Sequence, residues 1–494
     1  MQPKMPNSFA TSPSRLGVPS VRHPQNNRIT TAVAIFLLAS SQMWSQSASG
    51  GHPPARMQSI GDVIKSADHA GNPHLMSETI GAKEMAVKGR TPIHILYMHG
   101  IKQVGAGDSS LLRQGICKYL GECTVTSLGR VYADSGPFAL NHAPPELAYM
   151  QARIWKTTED WNASAPFIDR YELAGNGHTP IMLDELNWWP IAYPLKCKWL
   201  IPSDSALTGP SKDQLDICAV PKGNQSDTDH PGRYLAYRWI EPAEATELGH
   251  ISRHATLANR SLKNDLMDWG FGDAVMALGP VQEILTAGIR QLLVKSLEAA
   301  GIDSKAAKPE DAGPEFYFIT HSLGSYLSLA ALDSDWLGPQ IPGLAEFAIS
   351  PAETNAVDYF SAHTAGFYFL ANQVELLELA RVSAPTQPPT NPPASTPPET
   401  AKPVSIKHWL LMRQAFLQHR PSLSPGPQIV AWSDPDDLLS WDVPDIEGVN
   451  VLNYHVRNSG FKIPPFFVWP TGAHGNYAKN SRVLRVIFKP TRER

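Results

Sequence analysis

Cysteine is scarce in this chain: there are four among 494 residues, and no two stand as Cys-x-x-Cys. With no histidine at ligand spacing beside them, a structural zinc site has no framework to stand on. An excess of either charge is also lacking, because 42 Lys and Arg face 46 Asp and Glu for a net charge of −4. That balance removes the basic surface on which nucleic-acid binding depends. Long apolar runs are missing as well. The run TTAVAIFLLAS occupies residues 30–40 only, whereas a bilayer crossing needs about 20 residues. No integral membrane span is expected in the mature chain.

What that run does fit is an export signal. Arg15, Arg22 and Arg28 precede it, and small residues around Ser45 and Ser47 follow as a plausible cleavage region. Residues 1–50 are therefore expected to be a secretory leader, which places the mature chain in the periplasm or outside the cell. No cysteine follows the run, which disfavours a lipid anchor. An oxidising compartment suits the cysteines. Cys117 and Cys123 flank a turn at Gly121, and Cys197 and Cys218 flank a polar loop. Local pairing is one of three possible connectivities, with free buried thiols as the alternative.

The apolar fraction of 42% is enough for a sizeable core. After a polar N-terminal extension at 51–90, order is expected from HILYMHG (94–100), followed by strands at CTVTSLGRVYA (123–133) and TPIMLDELNWWPI (179–191). Residues 192–268 carry Pro, Ser, Asp and Trp without a long period and read as an irregular insertion. From Pro280 to Ala300 apolar residues fall at helical spacing, with Gly301 as the stop. Strand AGFYFLANQ (365–373) leads into the helical VELLELAR. A Pro-rich stretch, 384–403, reads as an extended loop inside one domain. Beyond it come a helix (SIKHWLLMRQAFLQ) and two strands (PQIVAWSD and GVNVLNYHVRN). Strands alternating with helices imply an α/β fold, a mostly parallel central sheet with helices on both faces.

Within that pattern EFYFITHSLGSYLSLAAL (315–332) stands out. An aromatic, apolar strand runs into a tight turn at Ser322, and a helix of small and apolar residues starts at once. The turn lifts one hydroxyl out of the sheet and sets it over a helix N-terminus, where free N–H groups favour negative charge. Ser59-Ile60-Gly61 and Ser127-Leu128-Gly129 share the Ser-x-Gly spacing but lack the strand–turn–helix setting.

THSLG (320–324) resembles the nucleophile elbow of the α/β-hydrolase superfamily, lipase- and esterase-like, with Thr320 in place of the first glycine and Ser325 where many members have another. The resemblance covers roughly residues 91–480, so that 91–494 is expected to form an α/β-hydrolase domain. The insertion at 192–268 would be a Trp-rich cap. Trp188, Trp189 and Trp199 lie in or near it, and Trp155, Trp161 and Trp239 outside the core strands.

A serine hydroxyl needs a base, and the base an orienting carboxylate. The superfamily order is Ser, acid, His. DPDDLLSW follows a strand and offers Asp437, with Asp434 and Asp436 as rivals. His474 lies in the Gly-rich TGAHGNYAKN, whereas His455 sits within an alternating strand. The oxyanion would be held by the backbone N–H of Leu323 and by the segment after MHG, at Gly100 and Ile101. Asn372 or Gln373 would lie near the rim. No metal or cofactor is required. The expected activity is hydrolysis of a small-molecule or lipid carboxylic ester through an acyl-enzyme. The alternatives are a thioesterase, amidase or acyltransferase with the same three residues, or a catalytically silent binding protein of the same fold.

Overall fold

A computed structural model of the chain describes residues 59–60, 92–101, 108–121, 123–133, 165–175, 178–196, 270–279, 282–333, 350–378, 404–420, 426–458, 462–463, 467–468 and 470–488. The expected leader, the 51–90 extension apart from Ser59 and Ile60, nearly all of the 192–268 insertion and the 384–403 loop lie outside them. So do Cys197, Cys218, Trp155, Trp161, Trp199 and Trp239.

Apolar, β-branched and aromatic runs make the central strands. These are β1 (Ile93–Met98), β4 (Ile181–Asn187), β5 (Phe316–His321), β6 (Thr364–Leu370) and β7 (Gln428–Ser433), buried on both faces apart from a half-buried His321. Continuous burial of this kind is the mark of parallel strands covered on two sides. With β2 (Cys123–Tyr132), β3 (Phe167–Gly175) and β8 (Asn450–His455) they form an eight-stranded sheet in the order β2-β3-β4-β1-β5-β6-β7-β8. Only β3 runs against its neighbours. The segments before and after 384–403 thus contribute adjacent strands, β6 and β7, to one sheet.

Successive strand residues face opposite sides, and two cores follow. On one side Leu96, Met98, Phe316, Phe318, Phe367 and Phe369 pack under helices α4 (Gln282–Ala299), α5 (Leu323–Leu332), α6 (Pro351–His363) and α8 (Val404–His419). On the other, Ile95, Tyr97, Tyr317, Ile319 and Tyr368 meet α1 (Ser110–Leu120) and α10 (Ser481–Phe488). The shorter helices are α2 (Trp189–Leu195), α3 (Gly272–Leu278), α7 (Val374–Glu378) and α9 (Pro470–Gly475). Gly301, at φ 80°, ends the segment after α4, as its position implies.

Three local readings need correction or completion. The strand read through residue 191 stops at Asn187, and Trp189–Leu195 is helical, with Pro190 in its first turn where a missing N–H does no harm. Trp188 and Trp189 are buried in the domain core. Cys117 and Cys123 form a disulfide across the α1–β2 turn.

Candidate active site

The carboxyl ends of β1, β5, β6, β7 and β8 line one edge of the sheet. The chain leaves β1 toward β4 on one side and resumes with β5 on the other, so this edge holds the point where strand order reverses. Crevices in open α/β sheets form at such points. Ser322 stands there, between β5 and α5.

Its backbone is unusual. Ser322 has φ 55° and ψ −125°, a conformation side chains rarely adopt, which costs of order 1–3 kcal/mol. The surroundings enforce it. The Ser322 N–H donates to the Leu370 carbonyl at 2.7 Å, and the Ser322 carbonyl accepts from the Ser325 N–H and, at 2.6 Å, from the Ser325 hydroxyl. Ser325 thus ties the turn where a glycine would leave it loose. Two glycines let β1 approach. A Cβ on Gly324 would meet the carbonyl oxygens of His99 and Met98 at 2.5 and 2.7 Å. One on Gly100 would meet the Ser322 Cβ at 2.6 Å.

The three side chains expected to act together do lie together. Ser322 Oγ is 2.7 Å from His474 Nε2, and His474 Nδ1 is 3.0 Å from both Asp437 oxygens. An ionised carboxylate only accepts, so Nδ1 carries the proton and Nε2 is left free to accept from Ser322. All three residues are buried. Burial pushes the Asp437 carboxyl upward. The hydrogen bond from His474 and the electrostatic attraction of that ring, the Leu439 N–H at 2.9 Å and the Tyr477 hydroxyl at 3.1 Å outweigh that and hold it below its ordinary value.

The rivals stand elsewhere. Asp434 accepts the N–H groups of Asp436 at 2.9 Å and Asn458 at 2.5 Å, and burial pushes its carboxyl upward. Asp436 is exposed. His455 is exposed at the end of β8 and pairs with Asp442 at 2.9 Å. Ser127 sits on a bulged edge strand. Asn372 is buried and binds the Val374 N–H, Glu375 and the Trp441 carbonyl, so it fastens α7 to the sheet edge. Gln373 beside it is buried too.

Beside Ser322, Leu323 opens α5, where the first N–H groups have no helical acceptor. Gly100 lies against Ser322, and Ile101 follows it. The peptide planes here are held by the side chains of His99, within the MHG segment, and of Trp188, which the sequence placed in or near the cap. His99 donates from Nδ1 to the Gly100 carbonyl at 2.8 Å and stacks on Trp188, whose indole N–H reaches the His99 carbonyl at 3.2 Å. Burial lowers the His99 pKa to about 4 and so keeps the ring neutral. His321 was also missed. Its Nε2 donates to the His474 carbonyl at 2.8 Å, and burial, with the charge of His474, lowers its pKa to about 4.

Among the described residues no group of His, Cys, Asp and Glu is arranged to hold a metal ion, and no helix is long and apolar enough to cross a membrane. Comparison with known proteins returned no matching family model, no matching curated protein and no matching solved structure.

Proposed function

We propose that this chain is a serine hydrolase of the α/β-hydrolase kind that cleaves carboxylic esters through an acyl-enzyme. The observation that carries the reading is the unbroken relay from Ser322 Oγ to His474 Nε2 and from Nδ1 to Asp437. Ser322 attacks the ester carbonyl while His474 takes its proton. His474 then returns that proton to the departing alkoxide, and the acyl group stays on Ser322. In the second half His474 takes a proton from water, the resulting hydroxide attacks the acyl-enzyme, and the acid leaves as Ser322 regains its proton. Asp437 keeps the imidazole in the productive tautomer and stabilises its charged form. The backbone N–H of Leu323 and the Gly100–Ile101 segment bind the oxyanion, each donor being worth about 3–4 kcal/mol in the transition state. The Ser322 backbone strain fits a residue held in one reactive geometry. The leader-like run at residues 30–40 supports a site of action outside the cytoplasm.

A series of p-nitrophenyl esters of graded acyl length tests the reading. Turnover should begin with a burst of p-nitrophenol equal to the enzyme concentration wherever deacylation is slow, and Ser322→Ala should abolish it. Hydrolysis that survives this substitution would overturn the proposal.

A further inference from the structure

His474 sits near the end of α9, a helix of six residues followed by a short 3-10 turn at Tyr477–Lys479. So short an element has little stiffness of its own, and its last carbonyls have no acceptor role within the helix. Two of them are taken by side chains from β5 and from the segment just beyond β8. The Ala473 carbonyl accepts from Asn458 Nδ2 at 2.8 Å, and the His474 carbonyl accepts from His321 Nε2 at 2.8 Å.

These carbonyls belong to the two peptide units that flank the His474 α-carbon. Peptide units are planar, so a hydrogen bond to the oxygen of each restrains the rotation of both planes, and with it the swing of the His474 Cα–Cβ bond between them. That direction decides whether the ring spans Ser322 and Asp437. Each arm is itself immobilised. Asn458 is buried, its N–H donates to Asp434 at 2.5 Å, and its side-chain oxygen accepts from Asn480 at 3.0 Å. Asn480 in turn takes the Arg482 N–H at the start of α10, whose apolar residues Val483, Leu484 and Ile487 are buried in the core. The His321 arm immediately precedes Ser322, and its ring lies edge-on to His474 at 5.1 Å between centroids.

We propose that Asn458 and His321 are positioning residues that clamp the His474 backbone from both sides, and that Asp434 holds the Asn458 arm. This rests on the reading that His474 moves the proton, and each arm acts through a backbone carbonyl beside that ring. It also gives Asp434 a task distinct from that of Asp437.

The test compares Asn458→Ala, His321→Asn and His321→Gln. A glutamine amide nitrogen reaches about where Nε2 stands, whereas an asparagine amide stops near Nδ1. Two readouts are needed: kcat and KM on a p-nitrophenyl ester, and the downfield proton resonance of the His474–Asp437 bond, identified by its loss in Asp437→Asn. Asn458→Ala and His321→Asn should each lower kcat by about a hundredfold, leave KM within about twofold, and weaken the resonance; His321→Gln should restore both. The His321 pair differs by one methylene, so it carries the test if Asn458→Ala fails to fold. Wild-type kcat and resonance in all three variants would overturn the proposal, as would equal behaviour of the two His321 variants or a wild type without the resonance. A wild type with the resonance but no turnover on any ester would instead refute the ester-hydrolase reading, and the resonance alone would then judge the clamp.

Discussion

Tyr477 donates its hydroxyl at 3.1 Å to Oδ2 of Asp437, one of the two carboxylate oxygens that lie 3.0 Å from His474 Nδ1. The Leu439 N–H takes the other oxygen at 2.9 Å. Asp437 is thereby held by three donors from three parts of the C-terminal region, and it is the acid whose charged form the fold favours.

The two aspartates of the loop should therefore separate in kinetics. Asp437→Asn puts an amide against Nδ1 and forces the wrong tautomer, with an expected loss in kcat of about 10⁴-fold. Asp434→Asn weakens the hold on Asn458 and on the Asp436 N–H but leaves the His474–Asp437 bond in place, and its loss should stay near or below about a hundredfold. Steady-state rates on one ester check this. A larger loss for Asp434→Asn would reverse the assignment.

Strain at Ser322 has a measurable side. Ser322→Gly relaxes a backbone at φ 55° that glycine adopts freely, so thermal unfolding should shift upward by the equivalent of about 1 kcal/mol or more while activity vanishes. Ser322→Ala removes the hydroxyl but keeps the Cβ, and should gain less. Equal melting temperatures for the two variants would argue against strain.

Close backbone approach predicts intolerance at two glycines. Gly324→Ala drives a methyl group into the carbonyl oxygens of His99 and Met98, and Gly100→Ala drives one into the Ser322 Cβ. Both are expected to destabilise the protein by about 1–3 kcal/mol, typical of overpacking, and to lower kcat, as read by denaturant unfolding and ester turnover. Gly426, with open space around it, serves as the control.

Glu375 makes stability depend on pH. Burial raises its pKa to about 7, with Glu378 and Asp442 adding to the effect against the opposing bond from Asn372. Between the unfolded carboxyl pKa of about 4.3 and 7 the native state holds a proton that the unfolded state has lost. Stability from this residue is thus present at the acid end of that window and falls as pH rises through it. Melting temperatures across the window should decline less steeply in Glu375→Gln than in the wild type.

The central strands were legible because parallel strands covered on both sides must be apolar throughout, as in Ile93–Met98 and Phe316–His321. Strand β3 was not, because it carries charges. Arg170 pairs with Asp184 at 2.7 Å and Asp169 with Arg130 at 2.7 Å, and such partners are invisible along the chain. Helix α6 did carry a signal that went unused, the capping box of Ser350 and Glu353 around Pro351. That Ser322, Asp437 and His474 lie together could be anticipated because Ser322 and Asp437 follow β5 and β7 at the same sheet edge and His474 lies in a Gly-rich segment beyond β8. The parts played by His321 and Asn458 could not, since each acts through a carbonyl that only the folded chain brings near.

Covalent labelling tests the central claim most directly. A fluorophosphonate probe, followed by peptide mass spectrometry, should modify the wild-type protein on Ser322, with the labelling slowed strongly in His474→Ala and absent in Ser322→Ala. An unlabelled wild type, or a label that persists in Ser322→Ala, would contradict the account.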